Sequence, residues 1–365
     1  MGMPSVQISF SEKAITAVQR GNNGIVALLL KDKSVQKITE SDSGATTDVE
    51  VVEIETATDI PLTISEENQK QIANALIGYS NPPKEVIAVI INNEAAAYTE
   101  ALKKLETIKF NYLAIPTVET DEQTQTVVTW IKEQRENDRL VKAVLPNTAA
   151  DTEGVVNFAT EKVYINNTEY TTEQYCSRIA GLLAGTDMSI SATYAPLPEL
   201  TDCTRLSKKD MDNAVDSGKF IIWHDGEKVK TGRAVNSLAT TNAKKGDSFK
   251  KIKIVDTMDL IKDDIKKTAQ DSYLGKYPNT YNNKCLLMAA IQTYFDSLIA
   301  SNILASATVD IDVAANRTYL KGRGEDVSSM SDDDLKQANT GSTVFLTAKI
   351  SILDAIEDIV LPIEI

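Results

Sequence analysis

Histidine is almost missing from this chain: His224 is the only one in 365 residues. That removes every metal site built on two imidazoles and leaves one residue for any histidine-based catalytic triad. The three cysteines, Cys176, Cys203 and Cys285, are odd in number and widely spaced. They give neither a disulfide framework nor a CxxC metal or redox site, and they point to a reducing compartment. No run approaches the roughly 18 uninterrupted apolar residues of a membrane span. Met1 to Phe10 lack the basic start and apolar stretch of a signal peptide, so neither export nor membrane anchoring is expected. Basic residues are outnumbered, 38 Lys plus Arg against 52 Asp plus Glu, for a net charge of -14. Nucleic acid is therefore not an expected partner, because a phosphate backbone needs a concentrated basic surface.

What is present is an ordinary globular composition, 42% hydrophobic and 25% charged, long enough for two or three units of roughly 100 to 200 residues. The charge is uneven. Residues 205–270 carry 15 Lys plus Arg against 10 Asp plus Glu, whereas residues 325–365 carry 2 against 9. Such segregation reads either as two solvated faces or as complementary patches between copies of one chain.

The local patterns predict a mixed α/β protein with several domains, in which mixed sheets are flanked by helices and both ends extend as strand arms. Val6, Ile8 and Phe10 alternate with polar residues, the period of a half-buried strand. Gly24 to Leu30 and Val35 to Ile38 read as a hairpin around Lys31 to Lys33, and Val49 to Ile54 as another strand. Ser65 caps a helix that buries Ile72, Leu76 and Ile77 and ends near Gly78. From residue 85 onward, apolar runs at 86–91, 112–115 and 140–145 alternate with helical patterns at 95–108 and 122–136. This is a βαβαβ order that favours parallel pairing. A further helix is expected over 172–184, a hairpin turning at Asp225-Gly226, a helix capped by Asp256, and a long helix over 284–303. Two alternating segments, 344–352 and Ile359 to Ile365, close the chain. Domain boundaries are expected as an arm at 1–20, a small α+β domain at 21–84, an α/β domain at 85–200, an α+β core at 201–355 and a second arm at 356–365.

Signals for chemistry are sparse. The turns after the parallel runs are Asn92-Asn93-Glu94, Pro116-Thr117 and Pro146-Asn147-Thr148, without the glycines that let a backbone cradle a pyrophosphate. Gly275-Lys276-Tyr277 lacks the upstream glycine and following hydroxyl of a P-loop. His224 sits beside a turn and reads as structural. Asp332 to Asp334 lack the alternation and central glycine of a calcium loop. No catalytic residue, cofactor site or metal site is expected.

Several stretches of the second half together resemble contractile phage tail sheath proteins, in particular the compact sheaths of R-type bacteriocins and defective PBSX-like prophages of Gram-positive bacteria. They are Ile179 to Thr186 with Ser189 to Thr193, Gly232 to Leu238, Lys251 to Asp256, and Tyr273 to Asn279. The residues also have a reading of their own: Gly181 and Gly185, four apart on an apolar helix, suit close packing, and Arg233 an anchored charge.

The resemblance implies a structural subunit with no enzymatic activity that polymerises around an inner tail tube, contacts baseplate and terminator proteins, and contracts to drive the tube through a cell envelope. It also implies assembly in the bacterial cytoplasm within a phage tail or bacteriocin particle released by lysis. Terminal arms then add strands to neighbouring subunits at open sheet edges. The arm residues expected at the subunit interface are Val6, Ile8, Phe10, Ile359, Leu361, Ile363 and Ile365. A tube contact is expected at Lys262, Asp263, Lys266 and Lys267. The alternatives are an α/β enzyme or small-molecule-binding protein, and another tail component.

Overall fold

The computed structural model describes residues 24–35, 37–38, 46–47, 49–243 and 245–364, with only the backbone at 37–38 and 46–47. Val6, Ile8, Phe10 and Ile365 lie outside the described residues. The chain divides into two compact units, and the division falls between Asp259 and Leu260. Among the described residues, the larger comprises Gly24 to Asp259 together with Asp354 onward; the smaller is Leu260–Leu353.

The larger unit is built on strands β1 (Ile25–Asp32), β2 (Lys37–Ile38), β3 (Thr46–Thr47), β4 (Glu50–Ile54), β5 (Glu85–Asn92), β6 (Tyr112–Ala114), β7 (Lys142–Pro146) and β8 (Val155–Phe158). These are followed by β9 (Lys162–Ile165), β10 (Thr168–Thr171), β11 (Asp202–Cys203), β12 (Lys219–Phe220), β13 (Ile222–His224) and β14 (Val229–Thr231). Seven of them form one sheet in the order β12-β8-β7-β6-β1-β5-β4. All of its neighbours pair in parallel except β4, which lies antiparallel on β5 at the edge.

The hairpin expected at 24–38 is not there. The run Ile25 to Leu30 is apolar at every position rather than alternating, the mark of a parallel strand covered on both faces. β1 accordingly sits between β5 and β6. Its residues divide between two cores: Val26, Leu28 and Leu30 face one, Ile25, Ala27 and Leu29 the other. The boundaries expected at residues 84 and 200 are both crossed by this sheet, since β1 and β4 pair with β5, and β12 pairs with β8. Parallel pairing requires crossover connections, so strands far apart in sequence become neighbours.

Helices α1 (Glu66–Leu76) and α4 (Thr172–Ala184) cover the first core, while α2 (Thr99–Leu105) and α3 (Thr124–Glu136) cover the second. Ser65 accepts from Asn68 N at the start of α1, as expected of its cap. Helix α4 lies close to α1 because Gly181 has no side chain: a Cβ there would stand 1.9 Å from the Ala75 carbonyl oxygen. Asp225 turns the β13–β14 hairpin by accepting from the backbone N of Glu227 and Lys228, with Gly226 at φ +108°. Helix α5 (Lys208–Asp216) precedes β12, and α6 (Ile252–Thr268) runs to the end of the larger unit and beyond.

The smaller unit contains the long helix α7 (Tyr281–Ala300), β15 (Leu304–Ile311), α8 (Val313–Gly322), α9 (Asp332–Gln337) and β16 (Leu346–Ile352). β15 and β16 form a two-stranded antiparallel sheet. Thr280 caps α7 through Asn283 N. Asn279 donates to the Gly341 carbonyl and Asn283 to the Pro278 carbonyl. Ile291, Tyr294 and Leu298 of α7 are buried, and Leu287 is half-buried.

Candidate assembly surface

The last residues leave β16 at Leu353 and take no regular secondary structure over 353–364. The strand expected at Ile359 to Ile365 is thus not formed within the chain, because an extended segment needs a second backbone to close its ladder. What the segment presents instead is apolar surface: Ile356, Ile359, Val360, Leu361 and Ile363 are 73% to 93% exposed.

Its root is fastened. Arg233 Nη2 lies 2.7 Å from both oxygens of Asp358, and Lys251 pairs with Asp354. Between them Glu357 turns inward, its side chain only 6% exposed. Thr193 Oγ1 donates to it at 2.5 Å, with Lys251 Nζ at 3.2 Å and Arg233 Nε at 3.8 Å. Burial disfavours the Lys251 charge, but the Asp354 and Glu357 carboxylates outweigh that and raise its pKa above the usual lysine range.

In the smaller unit, β15 rests on α7, while β16 has residues 347–351 exposed, among them Ile350. Among the described residues neither strand has a second partner. Both outer edges of this two-stranded sheet thus lack a further strand among the described residues, the geometry that accepts an added one.

Helix α6 departs from its expected role in two places. It starts at Ile252 rather than at a cap on Asp256, and Asp256 lies inside it with a 12% exposed side chain. Tyr112 Oη donates to both Asp256 oxygens at 2.8 Å, and Lys142 Nζ lies 3.0 Å from Asp256 and 2.8 Å from Asp259. Arg135 grips Asp259 with both terminal nitrogens, at 2.9 and 3.0 Å. Burial drives the Asp256 pKa up more than Lys142 and Tyr112 draw it down. For Asp259, Lys142 and Arg135 overcome the burial and hold it below the usual carboxylate range. Further along, Lys262 and Lys267 are exposed, and Asp263 and Lys266 are half-buried. Asp264, by contrast, is buried and accepts from Tyr294 Oη at 2.8 Å.

Among the described residues, the remaining polar clusters are engaged in structural contacts. At the carboxyl ends of the parallel strands, where α/β proteins bind ligands, the polar groups satisfy one another. Asp121 accepts from Lys31 at 2.7 Å, from Thr117 at 2.8 Å and from Tyr98. Asp32 accepts from Ser65 N, Ser34 N and Asn68 Nδ2. His224 is half-buried and its Nδ1 accepts from Gly226 N, a turn contact. Among the described residues, no cluster of three His, Cys, Asp or Glu side chains could hold a metal, and no helix is long and apolar enough to cross a membrane.

Of the site residues expected from sequence, the structure places Ile359, Leu361 and Ile363 on the exposed tail and Lys262, Asp263, Lys266 and Lys267 along one helix. Sequence reasoning missed Thr193, Lys251 and Glu357 as one cluster, although Thr193 and Lys251 both lie in stretches that carried the family resemblance.

Residues 92–237 match the family description "phage tail sheath protein central domain" and residues 244–365 the "phage tail sheath C-terminal domain". A tail sheath protein of Clostridium phage phiCD119 is 38% identical over 368 aligned residues, covering 98% of each chain. A sheath tail protein of Desulfitobacterium hafniense has a similar solved fold, with a TM-score of 0.68, 18% identity, and 84% of this chain and 94% of that one covered. The helical sheath of the anti-feeding prophage in its contracted state superposes with a TM-score of 0.71 at 13% identity, over 100% of this chain and 99% of the other.

Proposed function

The chain belongs to the phage tail sheath protein family as a structural subunit of a contractile sheath, and from that premise we propose how it assembles and acts. Copies stack as a helical lattice around an inner tail tube, between a baseplate and a terminator. Contraction of the lattice drives the tube through a target envelope. Assembly takes place in the bacterial cytoplasm, and the particle leaves by lysis. No nucleotide is consumed, because the work is stored in a metastable lattice.

The observation that carries this reading is the exposed apolar tail. Ile359, Leu361 and Ile363, at 73% to 82% exposure, share one side of an extended chain. Pro362, which has no N–H to offer, falls on the opposite side and suits an outer edge. Donated to the open sheet edge of a neighbour, each side chain contributes about 1.5 to 3 kcal/mol when fully buried, before ordering costs are subtracted. Val6, Ile8 and Phe10 form the corresponding arm at the other end, and Ile365 completes the C-terminal one.

Deleting residues 1–10, or 358–365, should leave a folded, soluble monomer that fails to polymerise in negative-stain micrographs. Normal contractile sheaths from either truncation would remove the arm at that end. The tube-facing element is the later part of α6, with Lys262, Asp263, Lys266 and Lys267. Weak exposed ion pairs of about 0 to 1 kcal/mol each hold the tube yet let it go. Reversing the three lysines should give premature contraction or tube-free sheath, whereas unchanged extended particles would exclude this surface.

A further inference from the structure

Three stretches of sequence that carried the family resemblance meet at one point in the larger unit. Tyr194 N donates to the Gly232 carbonyl at 3.2 Å, Ile252 N to the Ala234 carbonyl at 3.1 Å, and Asn236 N to the Lys250 carbonyl at 2.9 Å. These bonds lay 193–194, 232–236 and 250–252 side by side, which places Thr193, Arg233 and Lys251 together. Thr193 is oriented before it meets the tail: its Oγ1 accepts from Ala234 N at 3.0 Å and from Ser191 Oγ at 2.9 Å. It retains its own hydrogen for Glu357. Two cations and an aimed hydroxyl therefore face Asp354, Glu357 and Asp358.

We propose that Thr193, Arg233 and Lys251 form a socket that holds the root of the C-terminal arm on its own subunit, so that the arm departs at Asp358 and only the residues after it are donated to a neighbour. The proposal rests on the arm-donation reading above and adds to it the departure point and the residues that set it. Ile356 and Ile359 are 88% and 82% exposed on either side of Glu357, so a single carboxylate is inserted while its apolar neighbours stay out. An unanchored extended segment does not bury one glutamate in this way, because an ionised carboxylate leaves water only for partners that compensate it.

The hold is made by side chains: no backbone hydrogen bond joins residues 354–364 to the rest of the chain among the described residues. The arm root can therefore pivot on its side-chain contacts without breaking a ladder. Beyond Asp358 the seven residues to Ile365 span about 23 to 25 Å when extended. A fixed departure point limits which sheet edges they can reach and in which register. Thr193, Arg233 and Lys251 are thus positioning residues for assembly.

The test separates socket from donation. In a Cys285→Ser background, Ile356→Cys in the full-length, unassembled chain takes a nitroxide label, Cys176 and Cys203 being buried. The expected spectrum is motionally restricted. Arg233→Gln with Lys251→Gln should shorten the correlation time at least threefold, and Thr193→Val should shorten it less. An unchanged line shape in the double variant, with its melting temperature retained, would overturn the socket. In particles, Arg233→Asp should reduce sheath-bearing assemblies at least tenfold, and adding Asp358→Arg should restore them. Failure of that exchange to restore assembly also counts against the socket. Truncation after Asp358 keeps every socket carboxylate, so normal sheaths from that variant would sink donation, whereas the socket is decided by the nitroxide spectra and the charge exchange.

Discussion

Asp256 and Asp259 lie one helical turn apart on α6 and share Lys142, yet neutralising them should have very different effects. Asp259 is gripped by both terminal nitrogens of Arg135 and by Lys142. Asn at this position leaves a buried guanidinium, whose Nε already lacks a partner, with only the more distant Glu153 carboxylate at 3.7 Å to balance it. Removing one member of a buried ion pair costs about 3 to 5 kcal/mol. At about 2 to 4 °C per kcal/mol for a unit of this size, Asp259→Asn should lower the melting temperature by roughly 6 to 20 °C.

Asp256→Asn keeps an oxygen for Tyr112 and leaves Lys142 its contact with Asp259, so it should cost no more than about 1.5 kcal/mol. The two pKa shifts also set opposite pH dependences. Asp259, held below its unfolded value, contributes stability that is present above the ordinary aspartate range and lost as pH falls through its lowered pKa. Asp256, raised above its unfolded value, binds a proton more readily in the folded state. Its ionisation therefore removes stability as pH rises from the ordinary range through its raised pKa. The penalty of Asp259→Asn should shrink in acid, and Asp256→Asn should gain on the parent chain as pH rises. Urea unfolding from about pH 2 to 8 measures both. Equal penalties at pH 7, or a larger one for Asp256→Asn, would refute the reasoning.

Two glycine substitutions should differ in sign. Gly181→Ala drives a methyl to 1.9 Å from the Ala75 backbone oxygen and should destabilise the larger unit by about 3 kcal/mol as α1 and α4 part. Gly322→Ala, at the end of α8 with nothing within 4 Å, should stabilise the smaller unit by about 0.5 kcal/mol; thermal melts read both. His224→Gln should leave assembly and contraction unchanged in micrographs, since its ring serves a turn. A chemical activity lost in that variant would count against a structural role.

Legibility in the sequence followed how local the cause was. Ser65 as a cap, Asp225-Gly226 as a turn and the glycine pair of α4 are readable because each depends on a few neighbouring residues. The apolar run at 25–30 reads as half of a hairpin because periodicity within one segment does not reveal what covers it, although its lack of alternation points to burial on both faces. Asp256 looks like a cap because the turn before it is apolar, and its real partners, Tyr112 and Lys142, are more than a hundred residues away. The visible hint is Lys142 itself, a lysine inside the otherwise apolar run 140–145. Thr193, Arg233 and Lys251 can be picked out individually, but only the fold brings them together.

The uneven charge of the chain also has a local explanation that neither solvated faces nor patches between copies provides. Of the nine carboxylates in 325–365, Asp354, Glu357 and Asp358 meet Arg233 and Lys251, which belong to the basic stretch 205–270. Asp334 closes the cap of α9 with Ser331, and Asp326 accepts from Ser328. Asp332 lies 3.8 Å from Arg317, and Glu325 3.9 Å from Arg323. Much of the acidic excess is thus engaged inside the subunit, at helix ends, turns and the arm root. An electrostatic match between neighbouring copies is left with few uncommitted carboxylates from this region. With the arms donated as proposed, cohesion of the lattice would fall mainly to backbone ladders and the buried apolar faces of the arms. Those contacts would be screened little by salt and would persist through a rotation that separates point charges.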